Sequence, residues 1–190
     1  MAKISTYPTI SSVSTSDMLI GTDASDNSAT KNFIVGDLLN LSISNLQAYS
    51  LVTQQHTTIN TNKNIDFEFG SFTNGVTLTS GNQIGFNSTG KFMIDVRVRL
   101  EHVSGGGDAQ VSMWLKYPTT NVSNSRQVYT IANAHVQELS YGFVVNIASV
   151  SDTIFVQWAT SNLAARLIPA LATGIYPTAP SAILNVYKVG

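Results

Sequence analysis

The feature that most constrains the fold is a stretch of alternating side chains, GKFMIDVRVRLEH, at positions 90–102. Every second position from 92 to 100 is apolar, and the positions between them hold mostly charged side chains. Successive side chains of a β-strand point to opposite faces of a sheet, so a period of two predicts a strand with one buried side. Such a strand needs partner strands to satisfy its backbone hydrogen bonds.

Further segments supply those partners. The same alternation recurs at Val111, Met113 and Leu115; at Tyr141, Phe143, Val145 and Ile147; at Ile154, Val156 and Trp158; and at Ile183, Asn185, Tyr187 and Val189. Shorter strands are predicted at 65–69, 76–78 and 84–86, and the SGGGD sequence at 104–108 predicts a hairpin turn. About eight strands without a helical crossover indicate an all-β antiparallel sandwich.

The first 47 residues differ in composition and pattern from residues 48–190, and we expect them to form a separate segment. Two short apolar stretches flank the turn-forming sequence GTDASDNSATKN, which predicts a hairpin. Asp37 is a good N-cap for a short helix after it. So small a unit cannot bury its apolar face alone, and we expect it to dock on another protein. The candidate anchoring residues are Met18, Leu19, Ile20, Phe33, Ile34, Leu38 and Leu39.

Composition argues against several classes of partner. Only 11% of residues are charged, the formal net charge is -1, and the chain has no cysteine. We therefore expect no nucleic-acid binding, no disulfide framework and no thiolate metal site. No run of about 18 apolar residues is present, so membrane insertion is not expected. The start of the chain lacks the pattern of a signal peptide, which predicts synthesis in the cytoplasm.

Few residues suggest chemistry. His56, His102 and His135 lack the spacing of a metal motif. Asp66 and Glu68 would share a strand face about 7 Å apart, a separation that glycoside hydrolases also use, but the solvated side of a strand is the simpler interpretation. We therefore predict no catalytic, cofactor or metal site and no enzymatic activity.

Trp114 has the opposite strand parity to its apolar neighbours Val111, Met113 and Leu115. We therefore expect its ring to face outward. A neighbouring subunit, a sugar ring or ordinary packing could cover such a ring.

Four stretches together carry a family resemblance: GKFMIDVRVRLEH, DAQVSMWLKYPTTNVSNSRQ, YGFVVNIASVSDTIFVQWATSN and PSAILNVYKVG. In this order they resemble the trimeric jelly rolls of the complement globular head and tumour necrosis factor superfamily, and especially the version found in virion proteins of tailed phages. The resemblance covers about residues 48–190. The preceding segment SDMLIGTDASDNSATKNFIVGDLL is similar to the leading segment of phage fibre and head-associated proteins.

The resemblance implies an antiparallel jelly roll that packs as a homotrimer around a threefold axis. Candidates for the trimer interface, chosen by strand parity, are Phe143, Val145, Trp158 and Tyr187. The same residues are equally consistent with the core of a single subunit. The family has no shared catalytic constellation or cofactor to carry over.

The resemblance also implies a place on a bacteriophage particle. The expected protein is a trimeric head fibre or capsid-decoration protein, bound to capsid or other virion proteins through its N-terminal segment and able to contact host surface glycans. The alternative is a tail-associated receptor-binding adhesin or a glycan-active enzyme on the same fold.

Overall fold

The computed structural model describes residues 18–23, 29–34, 44–79 and 82–190. The chain divides into two compact units, Met1–Ser42 and Ile43–Gly190. No helix long and apolar enough to cross a membrane occurs within these described ranges.

The described residues of the first unit form two strands, β1 (Met18–Asp23) and β2 (Ala29–Ile34). They pair antiparallel, with Met18 opposite Ile34 and Asp23 opposite Ala29. This pairing corresponds to the hairpin expected from the sequence. The short helix predicted after Asp37, with Leu38 and Leu39, lies outside the described residues.

The second unit is built of strands. In chain order they are β3 (Asn45–Ser50), β4 (Gln54–Gln55), β5 (Lys63–Asn64), β6 (Phe69–Asn74), β7 (Val76–Thr79), β8 (Gln83–Phe86), β9 (Gly90–His102), β10 (Ala109–Lys116), β11 (Gln127–Ile131), β12 (Val136–Ile147), β13 (Thr153–Thr160), β14 (Ala165–Leu167) and β15 (Ala182–Lys188).

These strands form two antiparallel sheets. Over the described residues, the six-stranded sheet has the order β11-β10-β13-β8-β7, with β5 paired to β13. The seven-stranded sheet has the order β4-β14-β9-β15-β3-β6, with β12 paired to β9. The predicted all-β antiparallel jelly roll is confirmed.

The core lies between the inner faces of the two sheets. The alternation predicted for β9 is confirmed, because Phe92, Ile94, Val96, Val98 and Leu100 are all buried. On the inner face of the six-stranded sheet, the buried side chains include Val111, Met113, Leu115, Ile154, Val156 and Trp158. The sheets meet directly where the rings of Phe86 and Phe92 lie 4.7 Å apart between centroids. Burial of these apolar faces is the main driving force for the fold.

The prediction of which residues of the last strand point inward was wrong. Ala182, Leu184 and Val186 are the buried residues of β15, whereas Tyr187 is 41% exposed. The inward face of β15 is therefore the one opposite to the face expected from Ile183, Asn185, Tyr187 and Val189.

The strand predicted at 65–69 was wrong as well, because β5 ends at Asn64 and β6 begins at Phe69. The Gln54 side chain replaces a neighbouring strand here. It donates to the Asp66 carbonyl oxygen and accepts from the Asp66 amide, each at 2.8 Å. Ile65 and Phe67 are nevertheless buried, whereas Phe69, which has the same parity, is 46% exposed.

We predict that Gly90→Ala destabilises the jelly roll. Gly90 begins β9 with a φ of +130°, and an added Cβ would lie 2.5 Å from the carbonyl oxygen of Gly190. Both effects are unfavourable, and the expected loss is about 1 to 3 kcal/mol in the free energy of unfolding. Chemical denaturation measures it. Gly107→Ala is the matched control, because a Cβ there meets nothing within 4 Å. Equal stability of the two variants would contradict this account of Gly90.

Candidate functional site

The outward face of the seven-stranded sheet is rich in apolar side chains. Tyr187 on β15 lies opposite Met93 on β9, and Met93 lies opposite Val144 on β12. Residues directly opposite each other in a sheet share a face. Val144 is 49% exposed and Tyr187 is 41% exposed. An antiparallel sheet with one face in water normally presents polar side chains there, so this row is unusual.

A second apolar row crosses β15, β3 and β6, and a row of polar side chains on β3, β15 and β9 separates it from the first. Tyr49 lies opposite Ile183 on one side and Phe69 on the other. The rings of Tyr49 and Phe69 stack at 5.2 Å between centroids. Phe72 lies opposite Gln47 and is 69% exposed. The register shifts between Gln47 and Ala48, which brings Phe69 and Phe72 to the same face.

We define the apolar face as the outward-facing set Tyr49, Phe69, Phe72, Met93, Val144, Ile183 and Tyr187. Polar side chains on the same outward face form two pairs. Gln47 donates through Nε2 to Asn185 Oδ1 at 3.2 Å, and Arg97 Nε lies 3.8 Å from Asp95 Oδ2. An outward face that carries several exposed aromatic and aliphatic side chains is typical of a protein-protein contact.

The four residues predicted for the trimer interface lie in different environments in the structure. Trp158 and Val145 are buried in the core of the subunit, the second of the two uses that the sequence left open. Phe143 is partly buried and packs against that core. Of the four, Tyr187 is the one that the structure places on the apolar face.

The anchoring candidates Met18, Leu19, Ile20, Phe33 and Ile34 lie on β1 and β2. Leu38 and Leu39 fall outside the described residues. The role of this segment stays a prediction.

Both carboxylates considered for catalysis bond to neighbouring loops. Asp66 Oδ1 accepts from Asn82 Nδ2 at 2.7 Å, and Glu68 Oε2 accepts from the Leu51 amide at 3.3 Å. These bonds fix the chain around the irregular segment between β5 and β6. Both side chains therefore help to hold this part of the fold together.

Two of the three histidines are buried. His56 is 5% exposed and His102 is 1% exposed, whereas His135 is exposed. The ring of His56 packs edge-on against Trp158, with centroids 4.2 Å apart. Its Nε2 atom is buried and has no hydrogen-bond partner among the residues that the structure describes. No group of three histidine, aspartate or glutamate side chains within the described residues could hold a metal ion.

Burial lowers the pKa of His56 below its ordinary value of 6.5, because the charged ring loses solvation. The positive charge of Lys63 lowers this pKa further, and a backbone hydrogen bond with Trp158 opposes the change. The neutral ring is therefore the form that the folded protein favours.

Comparisons with known proteins bear on the fold. No family model matches the sequence, and no curated protein matches it. The crystal structure of murine APRIL at pH 5.0 is similar at a TM-score of 0.52 and 11% identity, and the match covers 78% of this chain and 100% of that chain.

Two further solved structures are similar at a TM-score of 0.49. One is the globular domain of the zebrafish complement 1qA protein, at 10% identity, with 78% of this chain and 98% of that chain covered. The other is murine APRIL at pH 8.5, at 13% identity, with 78% and 100% covered.

At such low identity the likeness to murine APRIL shows a shared fold and nothing more specific. The expected jelly-roll fold is thus confirmed. A place on a phage particle stays a prediction.

We predict that acidification destabilises the protein through His56. The unfolded chain takes up a proton near the ordinary pKa of 6.5, whereas the folded chain resists protonation. Stability that is present above this pH is therefore lost as the pH falls below it. Thermal unfolding at about pH 7.5 and about pH 5 measures the loss.

His56→Phe keeps a ring against Trp158 but cannot titrate, so its unfolding midpoint should fall less between the two pH values. His135→Gln is the exposed control and should behave as the unmodified protein does. An unchanged pH dependence in His56→Phe would refute the role of His56.

Proposed function

We propose that this protein is a homotrimeric structural component of a bacteriophage particle, most simply a head fibre or capsid-decoration protein. The jelly roll projects from the particle, and the N-terminal segment attaches it. The resemblance of the sequence to virion proteins of tailed phages supports the location. The resemblance to trimeric jelly rolls supports the number of subunits.

The apolar face is the observation that carries the proposal. Phe72 is 69% exposed, Phe69 is 46% exposed and Tyr187 is 41% exposed in the single subunit. Large aromatic side chains bury much apolar area when they pack, and such burial stabilises association. Identical subunits that pack around a threefold axis can cover this face in every copy and form a closed assembly.

The two-unit organisation supports attachment through the N-terminal segment. A two-stranded hairpin such as β1 and β2 is marginally stable by itself, so contact with a virion protein would stabilise it. Three attached segments in one trimer raise the effective concentration of each for the particle. The proposed role is therefore mechanical and adhesive, without a chemical reaction.

A tail-associated adhesin is the second candidate, and one observation favours it. The outward face of the six-stranded sheet carries a cleft lined by Trp114, Arg126 and several amide side chains. Side chains of these types suit the binding of a ligand, in solution or on a host surface, better than they suit a purely structural contact. Electron microscopy of particles labelled with an antibody to this protein would separate a head location from a tail location.

We predict that the purified protein is a trimer and that Phe72→Asp dissociates it. A charge buried in a packed apolar interface would lose its solvation without a partner. Light scattering should give three times the chain mass of 20.4 kDa for the unmodified protein. Phe72→Asp should give the mass of one chain and retain the β-sheet spectrum.

Ile175→Asp is the matched control, because Ile175 is 87% exposed and lies outside the apolar face. It should remain trimeric. A single-chain mass for the unmodified protein at micromolar concentration would reject the trimer.

We also predict that deletion of residues 1–42 abolishes incorporation into particles while the jelly roll still folds. The deletion ends there because β3 begins at Asn45 and pairs with β15 and β6. Particles assembled with the shortened protein would be purified and probed for it. Circular dichroism and light scattering would verify that the remaining residues are folded and trimeric. Incorporation at the normal level would show that attachment uses another surface.

A further inference from the structure

A cleft of about 540 Å³ lies on the outward face of the six-stranded sheet. Its floor consists of neighbouring strands, because Ser112 on β10 lies opposite Ala159 on β13, and Trp114 lies opposite Gln157. Trp114 is partly exposed while Met113 and Leu115 on either side of it are buried. The outward parity of Trp114 therefore places its indole ring in the cleft.

The connection between β10 and β11 forms one wall of the cleft, and buried hydrogen bonds hold it in place. Ser125 is 1% exposed, and its hydroxyl donates to the Val122 carbonyl oxygen at 2.7 Å. The Tyr141 hydroxyl donates to the Ser125 carbonyl oxygen at 2.8 Å. The Val122 amide donates to the Leu115 carbonyl oxygen at 2.9 Å, which returns the connection to β10. The wall is thus tied to the core.

Two side chains at the cleft are oriented by specific contacts. The indole Nε1 of Trp114 donates to Asn121 Oδ1 at 3.1 Å. Arg126 donates through Nε and Nη2 to the Ser112 hydroxyl oxygen, at 3.2 Å and 3.0 Å. The guanidinium group has five donors, so these two bonds leave others for a ligand. An aromatic ring and a cation are therefore held side by side.

A second groove of about 410 Å³ shares Asn60, Trp114, Asn121 and Ala159 with the cleft. Trp114 consequently lies where the cleft and the second groove adjoin. Lys116 lines the second groove. An elongated ligand that crosses the ring of Trp114 fits this arrangement better than a single compact one.

The lining of both grooves is amide-rich and cationic. Arg126 and Lys116 are its charged side chains, and no aspartate or glutamate of the described residues lines either groove. Amide side chains both donate and accept hydrogen bonds, which matches the hydroxyl groups of sugars. The amide residues are Asn60, Asn62, Gln110, Asn121, Asn124 and Gln157.

We infer that this cleft binds an acidic oligosaccharide, with a sugar ring on Trp114 and a sugar carboxylate on Arg126. The apolar face of a pyranose ring packs on an aromatic ring, and its hydroxyls reach the surrounding amides. A guanidinium group binds a carboxylate through paired hydrogen bonds. This inference deepens the proposed attachment role, on which its biological meaning rests.

The location of the cleft agrees with that role. The cleft is on the six-stranded sheet, whereas the apolar face is on the seven-stranded sheet. Subunits that pack through the apolar face would leave the outward face of the other sheet free. A trimer would then present three copies of the cleft, and three weak sites give a strong combined attachment.

Binding by the full-length protein can be measured from tryptophan fluorescence and calorimetry. The probes are six-sugar oligomers of galacturonic acid, hyaluronan fragments of similar length and short chains of sialic acid. The methyl ester of the galacturonic acid oligomer is the matched neutral probe. We expect at least one acidic probe to bind, and the methyl ester to bind roughly tenfold more weakly than its acid if that acid binds.

Variants separate the two contacts. Trp114→Ala should weaken binding by roughly tenfold or more, and Trp114→Phe should retain most of it because a ring remains. Arg126→Gln should weaken binding of the acidic probe by roughly tenfold but change binding of a neutral probe by less than about twofold. Tyr176→Ala and Lys91→Gln change exposed side chains outside the cleft and should bind normally.

The inference is overturned if none of the acidic probes binds below about 10 mM, or if acid and ester bind equally. It is also overturned if Trp114→Ala binds as the unmodified protein does. Light scattering on the same samples keeps this result separate from the proposed trimer. A threefold mass without binding rejects the cleft as a glycan site and leaves the trimer standing.

Discussion

The pairing of β9 along both of its edges is the constraint on which the rest of the structure depends. β9 pairs with β12 from Gly90 to Glu101, and β15 occupies its other edge. Because both edges are used, β9 lies inside the sheet, and its buried side chains fix which face points to the core. A shift of one residue would move the whole apolar set into water. Every neighbouring strand therefore takes its register from this one.

The sequence predicted the inward face of β9, in which a single parity is apolar, and it failed for β15, in which both parities are. In β9 the outward positions are mostly charged, so the buried face was unambiguous. In β15, Leu184 and Val186 point inward while Ile183 and Tyr187 point outward, and the period of two cannot distinguish the faces. The ambiguity has a physical origin, because the outward face of β15 belongs to the apolar face.

The apolar face and the cleft depend on structural features that the hydrophobic periodicity of the sequence does not reveal. Phe69 and Phe72 are three residues apart, and they share a face because the pairing of β3 with β6 is irregular at Gln47. The outward parity of Trp114 followed from the sequence. The cleft around it did not, because its wall is a connection that folds back through the hydroxyl of Ser125 and the phenol of Tyr141. The bond from Tyr141 joins residues 16 positions apart, and such a bond leaves no local signal in the sequence.

The low charge of the chain links the two surfaces. With ten basic and eleven acidic residues, identical subunits repel one another only weakly, so burial of an apolar face meets little electrostatic opposition. The same neutrality prevents long-range attraction of polyanions. Against this background, Arg126 and Lys116 form a local concentration of positive charge in grooves that no carboxylate of the described part of the chain lines. Their field acts over about one Debye length of 10 Å or less, so it selects an anionic group that is already in the cleft rather than steering one from a distance. Recognition in such a protein depends on shape and contact, and its strength must come from repetition of the site.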